Sequence, residues 1–515
     1  MSQPRVESGC QVLQQEVLQM RDLIVVSNRG PYSIQISEDG KIEYNRSGGG
    51  LVTALLGLAN QVPVSWIACA MGEEDRHWHQ GQIPLDENGH SLFMRFIRPE
   101  MEAYDSYYQV ISNPLLWFLQ HSMWDFATAP TINRLTWQAW ELGYLAVNRL
   151  FAETVVEEIN HGGRPALVML QDYHLYLAPR MIRSMLRGRR NTLLTHFIHI
   201  PWPGPEDWSL LPAKMREAIL DGLCAVDLLG FQTRDDAMSF IRTCESLLPG
   251  AHVNYRSGRV TFNNHVTHVR DFPISIDVTA VQAAGQTEEV QQFREQIEQS
   301  VGDQKIILRI DRTEPSKNIV RGFQAFDEML ELHPEHHGKV QFLALMVPSR
   351  LEVEEYQDYL NSLMAAAGQV NVKYGTSEWE PVRVLVGESY PRALAAMQLY
   401  DVLLVNPVAD GMNLVAKEGP TVNQKNGVVV LSERAGAHQQ LGAHALVIAP
   451  CDVSDTAEAL HRALIMPEDE RRDHAEALRE SVMREDIHLW LCWQLDTIDM
   501  LVNANRESKK RGNTA

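Results

Sequence analysis

The run from Asp410 to Glu418 combines residue types that suit a ligand carrying phosphate or hydroxyl groups. It follows an apolar segment predicted as a strand at 402–405, and Asp410 and Asn413 are types that favour helix N-caps. A loop that enters a helix presents unsatisfied backbone N–H groups, which can bind phosphate or sugar oxygens. Glu418 would lie about one helical turn further on, within reach of ribose hydroxyls. A capped helix with a solvated glutamate is the alternative.

A second candidate site follows the strand predicted to begin at residue 305. Arg312 and Lys317 stand in a loop that leads into a predicted helix. Two cations kept at a strand end, in a chain of strongly negative net charge, favour a diphosphate ligand. Asp311 and Glu314 lie in the same loop, so a surface salt-bridge cluster is the alternative.

Further candidates lie in the first half of the chain. Arg29 follows the first apolar segment, and the sequence Ser-Gly-Gly-Gly-Leu at 47–51 opens an apolar helical run. Glycines before a helix let backbone N–H groups approach a ligand closely, and Arg29 favours a phosphate there. Asp172 and His199 follow neighbouring apolar runs and suit sugar hydroxyls. A tight turn and polar strand-end residues are the respective alternatives.

Two apparent metal motifs are interpreted as structural. The histidines of segment 333–337 have a spacing that resembles a metal site, but a proline interrupts them. No carboxylate or cysteine cluster accompanies them in the sequence, so we predict a loop. The acidic pair 235–236 follows a threonine and predicts the beginning of a helix. No metal site is therefore expected.

Length and composition limit the class of protein. A chain of 515 residues allows two or three domains. The net charge of −20 argues against nucleic acid and anionic membrane as partners. No apolar stretch approaches the roughly 20 residues of a membrane helix, and residues 1–22 lack the apolar region of a signal peptide. Six scattered cysteines without a CxxC pair fit a reduced, cytoplasmic protein.

The elements that must position these residues are short apolar runs between longer segments of helical periodicity. The runs are 23–26, 166–170, 226–229, 306–308, 342–346, 402–405, 428–431 and 445–448. Strands buried on both faces have this composition in parallel sheets, which crossover helices cover. The pattern predicts a doubly wound α/β fold that occurs twice.

We expect an N-terminal domain at 1–272 and a second domain at 273–480. The segment 481–515 should form a C-terminal helix that packs back on the N-terminal domain, followed by a tail. Ligands of open α/β sheets bind at the carboxyl ends of the strands, so we expect the two domains to share a cleft there.

The ordered motifs resemble a known family, the trehalose-6-phosphate synthases, over nearly the whole chain. The matching segments are Val25–Arg29, Ser47–Leu51, Tyr107–Trp117, Asp172–His174, His199–Pro201, Asp227–Thr233, Arg312 with Lys317, Pro348–Arg350, Asp410–Glu418, Val429–Ser432 and Ala435–Ala437. The resemblance implies a GT-B fold with two Rossmann-like domains. It also implies transfer of glucose from a nucleotide sugar, UDP- or GDP-glucose, to glucose 6-phosphate with retention, giving trehalose 6-phosphate. No metal or other cofactor is expected, and a homo-oligomer is left open.

The resemblance also implies roles for individual residues. The catalytic residues would be Arg312 and Lys317, which neutralise the leaving diphosphate, together with Asp410 and His199. The donor-binding residues would be Gly49, Asp172, Met412, Asn413, Leu414, Val415 and Glu418, the last holding the ribose. The acceptor-binding residues would be Arg29, Tyr108, Trp117 and Arg350. No side chain stands out as a covalent nucleophile, so retention would need attack on the same face as the departing diphosphate.

Three departures from the family pattern bear on the substrates. Gln171 stands where a histidine is usual, Ala70 replaces an expected tryptophan although Trp66 is near, and Thr313–Pro315 replaces Leu-Asp-Tyr. A relative with another phosphorylated acceptor, a polyol or cyclitol phosphate, is therefore an alternative. So is a pseudo-glycosyltransferase like the validamycin-pathway enzyme. A non-catalytic sugar-phosphate sensor is disfavoured because the donor residues are present, and a hydrolase with paired carboxylates is disfavoured by the diphosphate clamp.

Overall fold

The chain folds into two compact units. The first consists of Met1–Pro273 with His488–Ala515, and the second of Ile274–Ile487. The computed structural model describes residues 20–512 except 38, 47–54, 57–58, 60–61, 86–89, 126, 187–191 and 351, with side chains described as far as residue 503.

In the described part of the chain, eight strands overlap the apolar runs identified in the sequence, and the other strands match none of these runs. The strands are β1 Asp22–Val26, β2 Tyr32–Ile36, β3 Ile42–Arg46, β4 Val64–Cys69, β5 Gln80–Pro84, β6 Ser91–Ile97, β7 Ala166–Gln171, β8 Leu193–Phe197, β9 Leu228–Phe231, β10 His252–Asn254, β11 Arg259–Phe262, β12 His265–Asp271, β13 Lys305–Arg312, β14 Val340–Val347, β15 Val382–Val386, β16 Val402–Val405, β17 Val428–Ser432 and β18 Leu446–Ile448.

Helices of varied length connect and cover these strands. They are α1 Glu73–Trp78, α2 Met101–Asp105, α3 Trp117–Gln120, α4 Arg134–Ala139, α5 Leu145–His161, α6 Ala178–Leu186, α7 Pro205–Trp208, α8 Ala213–Leu223, α9 Arg234–Leu247, α10 Val278–Ala284, α11 Glu288–Val301, α12 Ile319–Leu332, α13 Glu354–Tyr374, α14 Tyr390–Leu399, α15 Val415–Val422, α16 His438–Leu441, α17 Val453–Ile465, α18 Glu468–Arg484 and α19 Ile487–Gly512. Segments Ser106–Leu116 and Trp140–Tyr144 are π-helical, and short 3-10 turns occupy Tyr173–Leu175, Pro315–Lys317, Pro334–His336 and Gly442–His444.

The first unit contains a sheet in the order β10-β11-β12-β9-β8-β7-β1-β4-β6-β5 among the described residues. Neighbours from β6 through β4, β1, β7, β8 and β9 to β12 are parallel, whereas β5, β10 and β11 extend the two edges antiparallel. Strand β7 is buried along its whole length, as expected for a strand covered by helices on both faces. The direction of winding reverses between β1 and β7, so this is the switch point where ligands of such sheets bind.

The second unit contains a six-stranded parallel sheet in the order β15-β14-β13-β16-β17-β18. Counted along the unit, this is the 3-2-1-4-5-6 order of a Rossmann fold, with its switch point between β13 and β16. Helices α12 and α17 bury Phe323, Phe326 and Leu460 in the same apolar core as the strands. The doubly wound α/β fold expected from the apolar runs is therefore present twice.

The C-terminal helix α19 returns to the first unit. Trp490, near the beginning of this helix, donates a hydrogen bond from Nε1 to the carbonyl oxygen of Phe272 at 3.1 Å. The Trp490 ring also meets Phe197 of β8 edge-on, with 5.4 Å between ring centroids. None of the helices in the described part of the chain combines the length and apolar character that crossing a membrane requires.

Two smaller expectations can be compared with the structure directly. The acidic pair 235–236 opens helix α9, where the Thr233 hydroxyl accepts a hydrogen bond from the Asp236 backbone N–H, so the predicted helix start is confirmed. Cys69, Cys224, Cys244 and Cys451 carry free thiols.

Candidate active site

The switch point of the second unit brings together the two loops singled out in its sequence. Strand β13 ends at Arg312 and the neighbouring β16 ends at Val405, so the loops that follow them emerge side by side. Across these loops, the Lys317 Nζ atom donates a hydrogen bond to Asp410 Oδ2. Asn413 Nδ2 donates to the same carboxylate oxygen at 3.1 Å. Residues 93 positions apart thus form one polar cluster at the carboxyl edge of the sheet.

The loop from Asp410 leads into helix α15 as expected. Asn413 has a φ of 75°, a left-handed conformation that asparagine tolerates better than most residues, and its Oδ1 accepts the Ala416 backbone N–H at 3.2 Å. Within the described part of the chain, no protein acceptor receives the backbone N–H groups of Met412, Asn413, Leu414 and Val415. These donors at the beginning of a helix suit phosphate or sugar oxygens.

Glu314 is the centre of a second charged cluster. Its Oε1 atom lies 3.1 Å from Arg312 Nη1 and 2.8 Å from Arg350 Nη1, and it accepts the Ser349 hydroxyl at 2.9 Å. Burial opposes ionisation of Glu314, but Arg312 and Arg350 outweigh it and lower its pKa to about 2. The salt-bridge alternative is correct in that Glu314 pairs with Arg312, but the Glu314 side chain is completely buried rather than on the surface. Arg312 itself is 47% exposed and so can meet a ligand.

Arg350 is held more tightly than a freely exposed arginine. Its Nη1 also donates to the Tyr356 hydroxyl at 2.8 Å, and its guanidinium lies over the Tyr356 ring. Only 8% of the side chain is exposed. Arg350 belongs to the second unit, whereas the other residues predicted to bind the acceptor, Arg29, Tyr108 and Trp117, belong to the first.

Arg309 is a residue of this site that the sequence motifs do not single out. Its side chain is fully buried near the middle of β13, with Nε 2.9 Å from Asp311 Oδ2. Its Nη2 donates to the backbone carbonyl of Lys317, so the guanidinium holds the loop that carries the lysine. The sequence signal that could have identified Arg309 is an arginine directly after the apolar residues of a predicted strand. A cation buried there needs polar partners, such as the Lys317 carbonyl in the loop beside it.

Glu418 and Lys417 are consecutive residues whose pKa values are shifted in opposite directions by burial. Glu418 lies in the first turn of α15, where Tyr390 Oη donates to Oε1 at 3.4 Å, and burial raises the pKa of its carboxyl to about 7. Lys417 is buried, and its Nζ donates to the Ile274 carbonyl oxygen at 2.7 Å. Burial lowers the pKa of Lys417 to about 7. The sequence pattern assigns Lys417 no role, because a lysine on a short helix gives no sign of burial.

In the first unit, Arg29 lies in the loop that leaves β1 at the switch point. Its Nη2 is 3.5 Å from the Tyr108 hydroxyl oxygen. Tyr108 is stacked between Tyr104, at 5.7 Å, and His174, at 5.8 Å, measured between ring centroids. The exposed guanidinium of Arg29 therefore stands beside a rigid aromatic stack, an arrangement that suits a phosphorylated sugar.

Asp172 and His199 come together at the ends of β7 and β8. The His199 backbone N–H donates to Asp172 Oδ1 at 3.3 Å, and Asp172 has a φ of 69°. That conformation is costly for a residue other than glycine, and such strain is concentrated at functional sites. Burial lowers the pKa of His199 to about 3, so its ring is neutral.

The substitution at Gln171 falls directly against His199. His199 Nε2 donates to Gln171 Oε1 at 3.0 Å, and Gln232 Nε2 lies 3.3 Å from His199 Nδ1. Since a glutamine NH₂ group can only donate, the two glutamines together fix the tautomer with the proton on Nε2.

The remaining predicted residues have less access to a ligand or fall outside the described range. Trp117 is only 5% exposed and stacks on His121, with ring centroids 4.0 Å apart. Trp66 cannot take the place of the tryptophan absent at Ala70, because it lies inside β4 with Nε1 bonded to Ser27 Oγ at 2.8 Å. Gly49 and its glycine run lie outside the described residues.

Comparison with known proteins supports the family resemblance over most of the chain. Residues 21–499 match the model of glycosyltransferase family 20. The chain is 32% identical over 482 residues to an α,α-trehalose-phosphate synthase (UDP-forming) of Schizosaccharomyces pombe, covering 91% of this chain and 89% of that one. A solved E. coli structure with bound UDP-2-fluoro glucose aligns with a TM-score of 0.79 and 28% identity, over 93% of this chain and 98% of that one. An α,α-trehalose-phosphate synthase (UDP-forming) of Burkholderia xenovorans, solved in complex with glucose-6-phosphate, aligns with a TM-score of 0.77 and 25% identity, over 93% and 99%.

The two Rossmann-like sheets, each with a polar cluster at its switch point, define a glycosyltransferase of the GT-B class. The chain belongs to glycosyltransferase family 20, the family of the trehalose-6-phosphate synthases.

Proposed function

We propose that this glycosyltransferase moves glucose from UDP-glucose to glucose 6-phosphate with retention of configuration, forming trehalose 6-phosphate. The observation that carries the donor side is the pairing of Lys317 with Asp410 beside the helix-start N–H groups of residues 412–415. The relatives named above are UDP-forming, and two of the aligned structures hold a UDP-sugar analogue or glucose-6-phosphate.

The second unit would bind the nucleotide sugar. Arg312 and Lys317 supply positive charge for the diphosphate, and the N–H groups of residues 412–415 bind its oxygens or those of the glucosyl unit. Glu418 would accept hydrogen bonds from the ribose hydroxyls. Its carboxyl is half-buried and bonded only weakly by Tyr390, so it retains acceptor capacity for such hydroxyls.

Charge stabilisation of the leaving group would be the main catalytic effect. As the glycosidic bond breaks, negative charge develops on the diphosphate, and fixed cations that face it lower the barrier. We assign this role to Arg312 and Lys317, with Arg309 positioning the lysine loop through the Lys317 carbonyl. Because these side chains supply the positive charge that a divalent ion would otherwise provide, we propose that transfer needs no metal.

The first unit would bind the acceptor. Arg29 and Tyr108 present a cation and a hydroxyl for the phosphate of glucose 6-phosphate. His199 would contact a sugar hydroxyl together with Asp172. The ring of His199 is neutral, so it carries no charge to stabilise a phosphate, and a sugar hydroxyl would replace either Gln171 or Gln232 as its hydrogen-bond partner.

A different phosphorylated acceptor is the second candidate function. Two observations favour it: Ala70 leaves small volume where the family has a tryptophan, and Gln171 alters the hydrogen bonding of His199. A polyol or cyclitol phosphate would use the same phosphate contacts of Arg29 and Tyr108. The donor half would be unchanged, since Lys317 and Asp410 do not depend on these substitutions.

Product analysis distinguishes the candidates. The purified protein would be incubated with UDP-, GDP- or ADP-glucose, each with glucose 6-phosphate, a polyol phosphate or a cyclitol phosphate, in the presence of EDTA. Products would be identified by mass spectrometry and their anomeric configuration by NMR. We expect trehalose 6-phosphate, with an α,α linkage, from UDP-glucose and glucose 6-phosphate.

Release of nucleotide only with another acceptor would replace the trehalose assignment by the second candidate. A loss of all turnover in EDTA that Mg²⁺ restores would contradict the metal-free mechanism. An Arg29→Ala variant should raise KM for glucose 6-phosphate much more than KM for the donor. Arg256→Ala, an exposed arginine of the same unit, is the matched control.

A further inference from the structure

Three histidines and two glutamates form a cluster in the second unit, at the opposite end of α12 from Lys317. His333 follows α12, Glu335 and His336 belong to the next turn, and Glu458 and His461 lie on α17. The sequence pattern at 333–337 predicts a loop without accompanying carboxylates. That pattern misses the partners because Glu458 and His461 come 125 residues after the groups that they contact.

The hydrogen bonds of the cluster orient each imidazole. His333 Nε2 lies 3.2 Å from Glu458 Oε1, and His333 Nδ1 lies 3.5 Å from Glu335 Oε1. His336 Nε2 lies 3.0 Å from His461 Nδ1. The rings of His333 and His461 are stacked, with centroids 3.5 Å apart and 5° between their planes.

From this arrangement we infer that His333, Glu335 and His461 bind a divalent transition-metal ion of the zinc, cobalt or nickel type. One ligand atom from each of the three lies within 4.8 Å of the others. Two imidazoles and one carboxylate are ligands that such ions prefer, with water completing a four-coordinate site. Glu458 would orient His333 and His336 would orient His461, since a metal-bound histidine commonly donates a hydrogen bond from its other ring nitrogen to an outer partner.

Binding requires the ligand side chains to rotate. Metal–nitrogen distances of about 2.1 Å place tetrahedral ligand atoms about 3.4 Å apart, so the present separations must close slightly. The stacked rings must also splay, because parallel imidazoles direct their lone pairs along parallel lines. Glu335 is 56% exposed and can turn towards an ion, whereas His333 is 19% exposed and already held by Glu458.

The position of the cluster gives the ion a structural role. His333 caps the carboxyl end of α12, where the helix dipole favours a cation. Helices α12 and α17 pack against each other, and the ion would join the end of one to the side of the other. The 14-residue helix α12 separates the cluster from Lys317 by about 20 Å, so the ion would take no part in glucosyl transfer.

The test is metal binding by the full-length chain without a polyhistidine tag. Co²⁺ would be titrated into the metal-stripped protein, followed by visible absorption and calorimetry, and Zn²⁺ would then compete for the site. We expect one equivalent of Co²⁺ with the intense visible bands of a four-coordinate site, and a rise in Tm of about 5 °C at saturating Zn²⁺.

The variants separate this site from binding elsewhere. Glu335→Gln, an exposed change that should not disturb folding, is expected to weaken Co²⁺ binding at least about tenfold. The double variant His333→Gln, His461→Gln should lose the bound equivalent, whereas His252→Gln, an exposed histidine of the first unit, should retain it. Equal Co²⁺ binding by the wild-type chain and the double variant, whether one equivalent or none, would overturn the inference.

Discussion

The Lys317 ammonium group is bonded to the Asp410 carboxylate, across the two loops that follow β13 and β16. Arg312 is likewise paired with Glu314, so both cations assigned to the diphosphate already have an anionic partner. A bound diphosphate would therefore share or replace a carboxylate rather than meet an isolated charge. The Lys317 side chain is only 12% exposed, so its charge needs an anionic partner. Asp410 is that partner in the free protein, and the diphosphate would share or take over this role in the complex.

Arg312→Ala should reduce kcat by about 10²–10³ while leaving folding largely intact. The side chain is half exposed, and Arg350 remains to pair with Glu314, so the loss falls on the leaving group rather than on the core. Steady-state kinetics with the confirmed donor, together with Tm, would measure both effects. Arg472→Ala, an exposed arginine in the same unit, is the control, and an unchanged kcat in Arg312→Ala would refute the assignment.

Glu314→Gln should destabilise the protein by about 3–5 kcal/mol, because the buried guanidinium of Arg350 loses its counter-charge. The folded pKa of Glu314 is about 2, below its ordinary value of 4.5. Its contribution to stability is thus complete above pH 4.5 and is lost as the pH falls towards 2.

Urea unfolding at about pH 7, 5, 4 and 3 would test this. The difference in unfolding free energy between wild type and Glu314→Gln should shrink as the pH falls, and a constant difference would contradict the proposed pairing. The exposed Glu352→Gln serves as the comparison variant.

Donor binding should strengthen as the pH rises from about 6 to about 8. The pKa of Glu418 is about 7. Ribose hydroxyls form their strongest hydrogen bonds with the ionised carboxylate. UDP-glucose has no group that titrates in this range, so linkage predicts about a tenfold lower Kd at the upper end than at the lower. Glu418→Gln should flatten the profile and weaken binding at the upper end by about tenfold or more.

Isothermal titration calorimetry with UDP-glucose would provide these values. Glu378→Gln, at an exposed position in the same unit, should keep the wild-type profile. A Kd independent of pH in the wild-type protein would exclude Glu418 as the ribose-binding carboxylate in its ionised form.

Lys417→Met should change how stability depends on pH above neutrality. Burial lowers the pKa of Lys417 from 10.5 to about 7, so between these values the unfolded chain holds a proton that the folded protein lacks. The free energy of unfolding contributed by this group therefore rises with pH across that window. Urea unfolding of wild type and variant at about pH 7, 8, 9 and 10 should show a gap that grows by about a few kcal/mol in favour of wild type. A gap of constant size would mean that Lys417 titrates normally.

Local sequence patterns are sufficient to predict much of the fold. The continuous apolar runs at 402–405 and 428–431 coincide with β16 and β17, because strands buried on both faces need apolar side chains throughout. Strand β13 extends well past its predicted run at 306–308, since Arg309 and Asp311 are buried there as a pair. Strand β6 is not predicted, because its burial alternates and its polar residues interrupt the apolar run.

The order and types of the residues are sufficient to predict the chemistry available to this protein. From Arg29 to Glu418 they indicate the family, a phosphate-binding helix start and a pair of cations for a diphosphate. Which groups meet depends on the folded chain: Lys317 with Asp410, His199 with Gln171, and His333 with His461. The reason is physical, because strand order and helix packing join residues that are distant in the chain. The arginines brought to Glu314 then lower its pKa, whereas burial raises that of Glu418.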